Sequence, residues 1–474
     1  MIVSCFIERT SSTVRFITQL TSRASTPTPS RAVIPIVATT VLLSGFDLFV
    51  VNVVLAQIAD DLNVADLSGL SWILNAYTIA FAAFLIPAGR LSDRIGSHRA
   101  LVVGLALFAI TSAGCAFSTS LTALIVMRTL QGASAALMTP SSLGVVLEGT
   151  SPDKRAGAVR LWAALGGLGA ALGPVVGGGL AEFGWRWVFL INIPIAGVAA
   201  VATWFLVARS TPRREHHLGL IQSTVLAGSI AALVAALVNG GEWGWTSAQT
   251  AILAVIALTG FASTGLTSAF GRRPILEPQL LRVPRIIPAA AALLVFHIAF
   301  GAMLLTVILW MEAVWDWSPL RAGLGIAPGP AIVPIVAVLA GRLTGRISPQ
   351  GLAGLGGAVF AVGAASWALA VQADSTYAAA ILPGALLTGV GVGLITPTAM
   401  AIGTSALPAQ WFATGSGVLS MARQVGIAVG VAVAVACLGP ASDVSDFHLT
   451  WWVTAAVSLI AGAPLLAVAK ENRE

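Results

Sequence analysis

An all-α integral membrane protein that crosses its membrane many times is the fold class predicted for this chain, and three observations predict it. Of the 474 residues, 57% are hydrophobic and only 9% are charged, against about 25% charged in soluble domains. Apolar windows of about 20 residues, the length of a membrane-crossing helix, recur along the chain, whereas barrel strands would alternate over about 10 residues. Basic residues are also sorted into every second connection between the windows, as cytoplasmic connections are.

The windows number fourteen. Bounded by Gly, Pro and charged clusters, they fall at 34–57, 70–89, 100–118, 121–146, 157–181, 187–208, 218–239, 249–270, 288–311, 320–341, 352–372, 377–402, 412–436 and 448–469. Residues 1–32 precede them as a polar, Ser- and Thr-rich stretch carrying Arg9, Arg15, Arg23 and Arg31. Its apolar start, Met1–Phe6, is shorter than the roughly 7–15 residues of a signal-peptide core, so a disordered cytoplasmic tail is expected. Residues 33–210 then hold a six-helix half. Residues 211–287 hold two inserted helices and a cytoplasmic linker with Pro274, Pro278 and Pro284, and 288–474 a second six-helix half.

With the N-terminus inside, 21 of the 25 Lys and Arg residues lie in the tails, alternate connections and span ends of that side. Arg186 and Arg321 fall on the other side, and Arg128 and Arg423 lie within windows. This asymmetry implies an even number of spans and both termini in the cytoplasm. It also places the +6 net charge in loops facing lipid headgroups, so membrane lipids and not nucleic acid are the expected partners. Cys5, Cys115 and Cys437 share no ligand-like spacing, and neither a disulfide framework nor a metal site is expected.

The two halves repeat. Gly89-Arg90-Leu91-Ser92-Asp93-Arg94-Ile95 returns as Gly341-Arg342-Leu343-Thr344-Gly345-Arg346-Ile347, and Leu137-Met138-Thr139-Pro140 as Leu394-Ile395-Thr396-Pro397. Two homologous halves rocking about a midplane site are a common transporter plan, and the pair at 218–270 has no counterpart in the repeat.

Within this frame a few residues carry chemistry. Asp47 is the one carboxylate near the middle of a span. Burial among apolar side chains favours its neutral form, so it is a candidate to load and release a proton; a permanent structural hydrogen bond is the alternative. Asn52 lies about 140° further round the same helix and is expected to bond another helix. Arg128 and Gln131 are one turn apart in the fourth span and share a face. A guanidinium stays charged and needs a carboxylate, carbonyls or water inside the membrane; Asp47 is the nearby acid on a central helix, and snorkelling to the outer surface, two turns away, is the alternative. His297, mid-way along the ninth span, carries a ring that titrates near neutrality in water: a proton relay or a satisfied core residue. Arg423, inside the thirteenth span, would bind anionic groups of a substrate or bond carbonyls of the other half. Trp72, Asn75 and Tyr77 are candidate contacts for an aromatic substrate, while Trp310 reads as an interfacial anchor.

Gly89, Arg90, Asp93 and Arg94 form a charged turn. There, Asp93 is placed to accept from N–H groups at the start of a facing helix, the gate residue of a latch, while Arg90 and Arg94 meet acids or lipid phosphates. The corresponding position in the repeat is Gly345, so one latch is expected. Gly169, Gly173 and Gly177 line one side of the fifth span, with Pro174 removing a backbone bond, which lets neighbouring helices pack and repack closely.

Taken in this order, the segments 89–96, Arg128-Thr-Leu-Gln131-Gly132 and Gly169 to Gly178 resemble the motifs of the major facilitator superfamily, in particular its fourteen-span drug:proton antiporters, over roughly residues 33–468. Phe46 to Leu55 is similar to that family's first-helix motif, with Phe49 and Ala56 in place of the usual Thr and Pro. The resemblance implies proton-coupled export of hydrophobic, drug- or antibiotic-like small molecules across the plasma (inner) membrane by a monomer needing no cofactor. In it, Asp47, Arg128 and His297 would couple protons, and Asp47, Asn75, Tyr77, Gln131 and Arg423 would meet substrate. The glycine motif of the fifth span is associated with exporters. A dedicated metabolite transporter, importers included, and a non-transporting receptor on the same fold are the alternatives. The chain has no phosphate-binding G-x-x-x-x-G-K-[ST] loop and no nucleophile–base pair, so neither an ATP-driven pump nor an enzyme is expected.

Overall fold

A computed structural model describes residues 33–63, 67–210, 220–270, 278–344, 346–374, 376–438 and 444–465. These form helices and turns, with no strand among the described residues. The helices are α1 (Val33–Asp61), α2 (Leu67–Ile95), α3 (Ser97–Ala116), α4 (Leu121–Gly149), α5 (Pro152–Ala181), the short α6 (Trp187–Leu190), α7 (Asn192–Leu206), α8 (Leu220–Trp243) and α9 (Ala248–Phe270). They continue with the short α10 (Pro278–Leu281), α11 (Ile286–Ala313), α12 (Pro319–Ile326), α13 (Pro328–Leu343), α14 (Pro349–Ala370), α15 (Tyr377–Ser405), α16 (Phe412–Leu438) and α17 (Val444–Ile460).

Among the described residues, eleven helical segments are long and apolar enough to cross a membrane, while Pro35–Asp47 in α1 and Thr224–Leu237 in α8 are shorter apolar stretches. The expected sixth and tenth windows are each broken, into α6–α7 and α12–α13. Pro328, at the first position of α13, has no N–H to continue the ladder. Several starts are capped as their sequences dictate. The Ser120 side chain accepts from Ala123 N (3.3 Å), Ser318 from Arg321 N (3.3 Å) and Ser348 from Gly351 N (3.1 Å), the last two followed by Pro. An N-cap oxygen satisfies an otherwise orphaned N–H, and Pro at the first helical position has none to lose.

The internal repeat is visible in the packing. The pairs α1–α5, α2–α4, α3–α4 and α3–α7 are matched by α11–α16, α13–α15, α14–α15 and α14–α17. The two groups meet through α2 against α16 and α5 against α13 and α15. The remaining pair flanks this seam: α8 packs on both α2 and α16, whereas α9 packs chiefly on α8. The tail 1–32, the linker residues 271–277 and Gly345 lie outside the described residues, as do the side chains of Asn52 and Pro174.

Trp310 is corrected by the fold. It is not an interfacial anchor but fully buried, edge-on to Phe447 (ring centroids 5.2 Å apart) and against Trp451 (5.4 Å). Its neighbours on α17 come from the last span, which a local pattern on α11 cannot reveal.

Candidate functional site

The turn between α2 and α3 sets one end of the molecule. Gly96 closes it at φ 92°, a conformation that side chains with a Cβ rarely adopt. Two turns earlier, Gly89 lets α2 touch α16: a Cβ there would stand 2.7 Å from the Ala413 carbonyl oxygen. This close approach delivers the buried Asp93 to the first turn of α16. Ala413 N donates to Oδ1 (3.0 Å), Thr414 N donates to Oδ2 (2.8 Å), and the Thr414 hydroxyl also donates to Oδ2. A carboxylate at a helix start satisfies orphaned N–H groups and meets the positive end of the helix dipole. Arg90 is buried beside it, whereas Arg94 is exposed. At the same end Glu148, which the sequence did not single out, accepts from Ser97 Oγ (2.9 Å) and from Ser210 Oγ, joining α3, α4 and the chain after α7.

Half-way along α1, Asp47 meets Arg128 in a site with no exposure for either side chain. Arg128 Nη1 donates to Asp47 Oδ2 (2.6 Å) and Gln131 Oε1 (2.8 Å), and Nε donates to the Ile73 carbonyl (3.2 Å). Gln131 Nε2 donates to Asp47 Oδ1 (3.0 Å) and Ser112 Oγ (2.7 Å), and Asn192 Nδ2 also donates to Asp47 Oδ1 (2.8 Å). Thus α1, α3, α4 and α7 all send a polar group into one apolar pocket, the arrangement a buried charge pair requires. Two atoms remain without a partner, Arg128 Nη2 and Asn192 Oδ1. The guanidinium also lies 4.3 Å over the Tyr77 ring, whose hydroxyl donates to the Ser44 carbonyl (3.4 Å).

Asp47, Arg128, Gln131 and Tyr77 are therefore brought together by the fold, with Tyr77 and Gln131 inside the ion-pair cluster and not on a cavity wall. Asn192 and Ser112 complete it unheralded by the sequence reading; each is a polar residue on a largely apolar helix, which is the only signal they gave. Cys115 Sγ also lies within hydrogen-bond range of Gln131 Oε1 (3.6 Å). Gly169 and Gly177 face Leu42 and Val50 of α1, so α5 lies closely against the helix that carries Asp47.

His297 and Arg423 are brought together elsewhere, in a central cavity of about 100 Å³ between the two helix groups. Ser44, Phe81, Trp162 and Thr396 also line it. His297 Nδ1 is 2.8 Å from the Leu293 carbonyl. Asn75 and Trp72 are half-buried and line neither this cavity nor the ion-pair cluster; Trp72 faces a groove beside α8. Among the described residues no group of three or more His, Cys, Asp or Glu side chains is placed to hold a metal.

The model of the Major Facilitator Superfamily matches residues 37–431. The chain is 30% identical over 436 residues to the methylenomycin A resistance protein of Streptomyces coelicolor, covering 91% of this chain and 89% of that one. It is 30% identical over 425 residues to the tetracenomycin C resistance and export protein of Streptomyces glaucescens, covering 88% and 77%. To the probable actinorhodin transporter of Streptomyces coelicolor it is 33% identical over 395 residues, covering 81% and 68%. Among solved structures, the human organic anion transporter MFSD10 (TETRAN) superposes with a TM-score of 0.65 over 92% of this chain and 99% of that one. At 14% identity this is a likeness of fold alone.

Proposed function

The chain belongs to the Major Facilitator Superfamily, and from that premise we propose that it exports hydrophobic, antibiotic-like small molecules in exchange for protons by alternating access. The observation that carries the proposal is the fully buried Asp47–Arg128 pair. A membrane protein retains so costly a pair where the charge does work. Relatives whose names record resistance to or export of antibiotics support the substrate class and the outward direction.

The proposed cycle follows from which charge can change. Arg128 keeps its proton, so Asp47 is the titrating partner. Protonation of Asp47 leaves the guanidinium to Gln131 Oε1, the Ile73 carbonyl and the Tyr77 ring, with Nη2 unpartnered. A buried unpaired cation is costly, so proton loading belongs to a conformation in which water or another acceptor reaches Arg128. The cluster is tied to the central cavity by α1. Ser44 lines the cavity and accepts from Tyr77, whose ring underlies Arg128. Movement of α1 on binding substrate thereby reaches the pair. Asp93, on the opposite half from the α16 N-terminus, holds the cytoplasmic end shut between strokes. The frame in which this operates is fourteen spans in the plasma membrane, both termini cytoplasmic, as a monomer.

The test is substrate-driven proton movement in reconstituted vesicles. Asp47→Asn, fixed in the neutral state, should abolish proton-driven uphill export and retain downhill exchange. If Asp47→Asn still drives uphill export at the wild-type rate, the coupling reading fails and His297 becomes the carrier to test.

A further inference from the structure

The central cavity has a charge that the proposed cycle leaves unused. Arg423, on α16, lines it without a hydrogen-bond acceptor from the protein among the described residues, and no Asp or Glu is among the lining residues. Asp47, the buried carboxylate of α1, is already engaged by Arg128, Gln131 and Asn192. A guanidinium inside a membrane without a protein counter-charge is a site for an anionic oxygen, which its planar fork holds bidentately. His297 stands in the same cavity. With Nδ1 directed at the Leu293 carbonyl, its Nε2 is the ring atom left for a second polar group of a bound molecule.

Apart from Ser44, Thr139, Thr396 and Gln424, the remaining lining is apolar or glycine. Phe81, Trp162 and Phe300 offer ring faces. Phe300, Val333 and Val392 also border a second lobe, which continues to Met303, Leu304 and Ile308. Apart from Thr388, that lobe is lined by apolar side chains and glycine. One positive end and one long apolar end define an amphiphile of opposite polarity. On the side of the cavity toward Thr344 and Gly341, a wide vestibule shares Trp162 and carries Lys154 and Arg160 against one acid, Asp153. Its field therefore favours entry of anions.

We propose that the central cavity selects ring-bearing acids, carboxylates or acidic phenols, held head-first by Arg423 with the apolar body in the adjoining lobe. This rests on the export reading and names the substrate class of its cavity. An ammonium compound would be placed against an unneutralised guanidinium, and like charges at that spacing are repelled most strongly where water is excluded.

Three probes that share a ring and differ in charge decide the matter: 2-naphthoate, 2-naphthalenemethanol and 2-naphthylmethylammonium, bound to the purified full-length protein by equilibrium dialysis at pH 8. The expected order is acid, then alcohol, then ammonium, with the acid ahead of the alcohol by about tenfold, the worth of one hydrogen bond to a charged group. Arg423→Gln should erase the acid's lead over the alcohol while saturable binding of the alcohol persists, which also reports that the variant is folded; Arg423→Lys should keep part of the lead. If Arg423→Gln does not fold, the ranking on the unaltered protein still decides. Ammonium binding equal to or tighter than acid, an acid lead that survives Arg423→Gln, or no saturable binding of any probe overturns the proposal. A parallel vesicle assay separates the two readings. Arg423-dependent naphthoate binding with no pH-gradient-driven movement refutes export and leaves the site. Gradient-driven movement of the ammonium probe alone refutes the acid class and leaves export.

Discussion

Asp93→Asn gives a prediction whose size follows from the structure. The carboxylate accepts three hydrogen bonds from the first turn of α16, two on Oδ2 and one on Oδ1. A hydrogen bond to a charged group is worth about 1.5–3 kcal/mol net. An asparagine keeps one acceptor oxygen and turns an NH2 group toward the other donors, so at least one bond is lost and a second weakened. The negative charge at the helix start, worth about 0.3–1 kcal/mol, goes as well. The combined loss of about 3 kcal/mol should move the open-to-closed ratio at this end by roughly 100-fold. Spin labels on Arg99→Cys and Gln410→Cys, both at exposed positions, read the separation across the α2–α16 seam by double electron–electron resonance, in protein with Cys5 and Cys437 replaced by Ser. The closed-state distance should dominate in the parent and the longer distance in Asp93→Asn, while the affinity for substrate holds. Equal loss of affinity and efflux, or a distance distribution shifted by less than about threefold in population, refutes the latch.

Three further outcomes are expected. Arg128→Gln should lower stability by about 3–5 kcal/mol, because it strands a buried carboxylate, and the double variant Asp47→Asn, Arg128→Gln should recover part of the loss; a double variant melting below the single one refutes the account of the pair. At the other end, Arg186 Nη1 and then Trp185 Nε1 donate to the exposed Asp61 carboxylate and hold it below its ordinary 3.8. A depressed acid contributes fully above its unfolded value and loses that contribution only as pH falls through the lower folded one. The melting difference between the parent and Arg186→Gln should therefore be small for so exposed a pair and constant from pH 6 to 8; a difference that changes across that window refutes the assignment. Finally, reporter fusions after Trp243 and Leu281 should report outside and inside respectively, and the same side for both excludes the fourteen-span topology.

The amino-acid sequence alone determined the class of fold, the repeat and the residues with charges to explain. Each is a local property: the length of an apolar run, the placement of basic loops, or a motif within a single turn. Asp47 and Arg128 stood out because a charge amid apolar residues is visible without knowing its partner, and Asp93 because of the charged, glycine-flanked turn around it. The sequence also indicated that Asp93 would reach a helix start, but not that the start is Ala413–Thr414, 320 and 321 positions away.

Beyond the Asp47–Arg128 pairing, only the tertiary structure decided which polar groups meet. Asn192 and Ser112 gave no more signal than the other polar residues of their helices, yet they complete the Asp47 cluster from α7 and α3. Tyr77 and Gln131 were candidates for substrate contact, and the fold turns both toward the ion pair. Arg423 and His297, on α16 and α11, share a cavity because those helices pack face to face. The reason is the solvent. In water an apolar stripe marks the side of a helix that faces the core, whereas in lipid both sides are apolar and inward faces are set by helix–helix packing. Rotation of each helix about its axis, and hence the partner of every buried polar atom, is fixed by contacts between helices far apart in the chain.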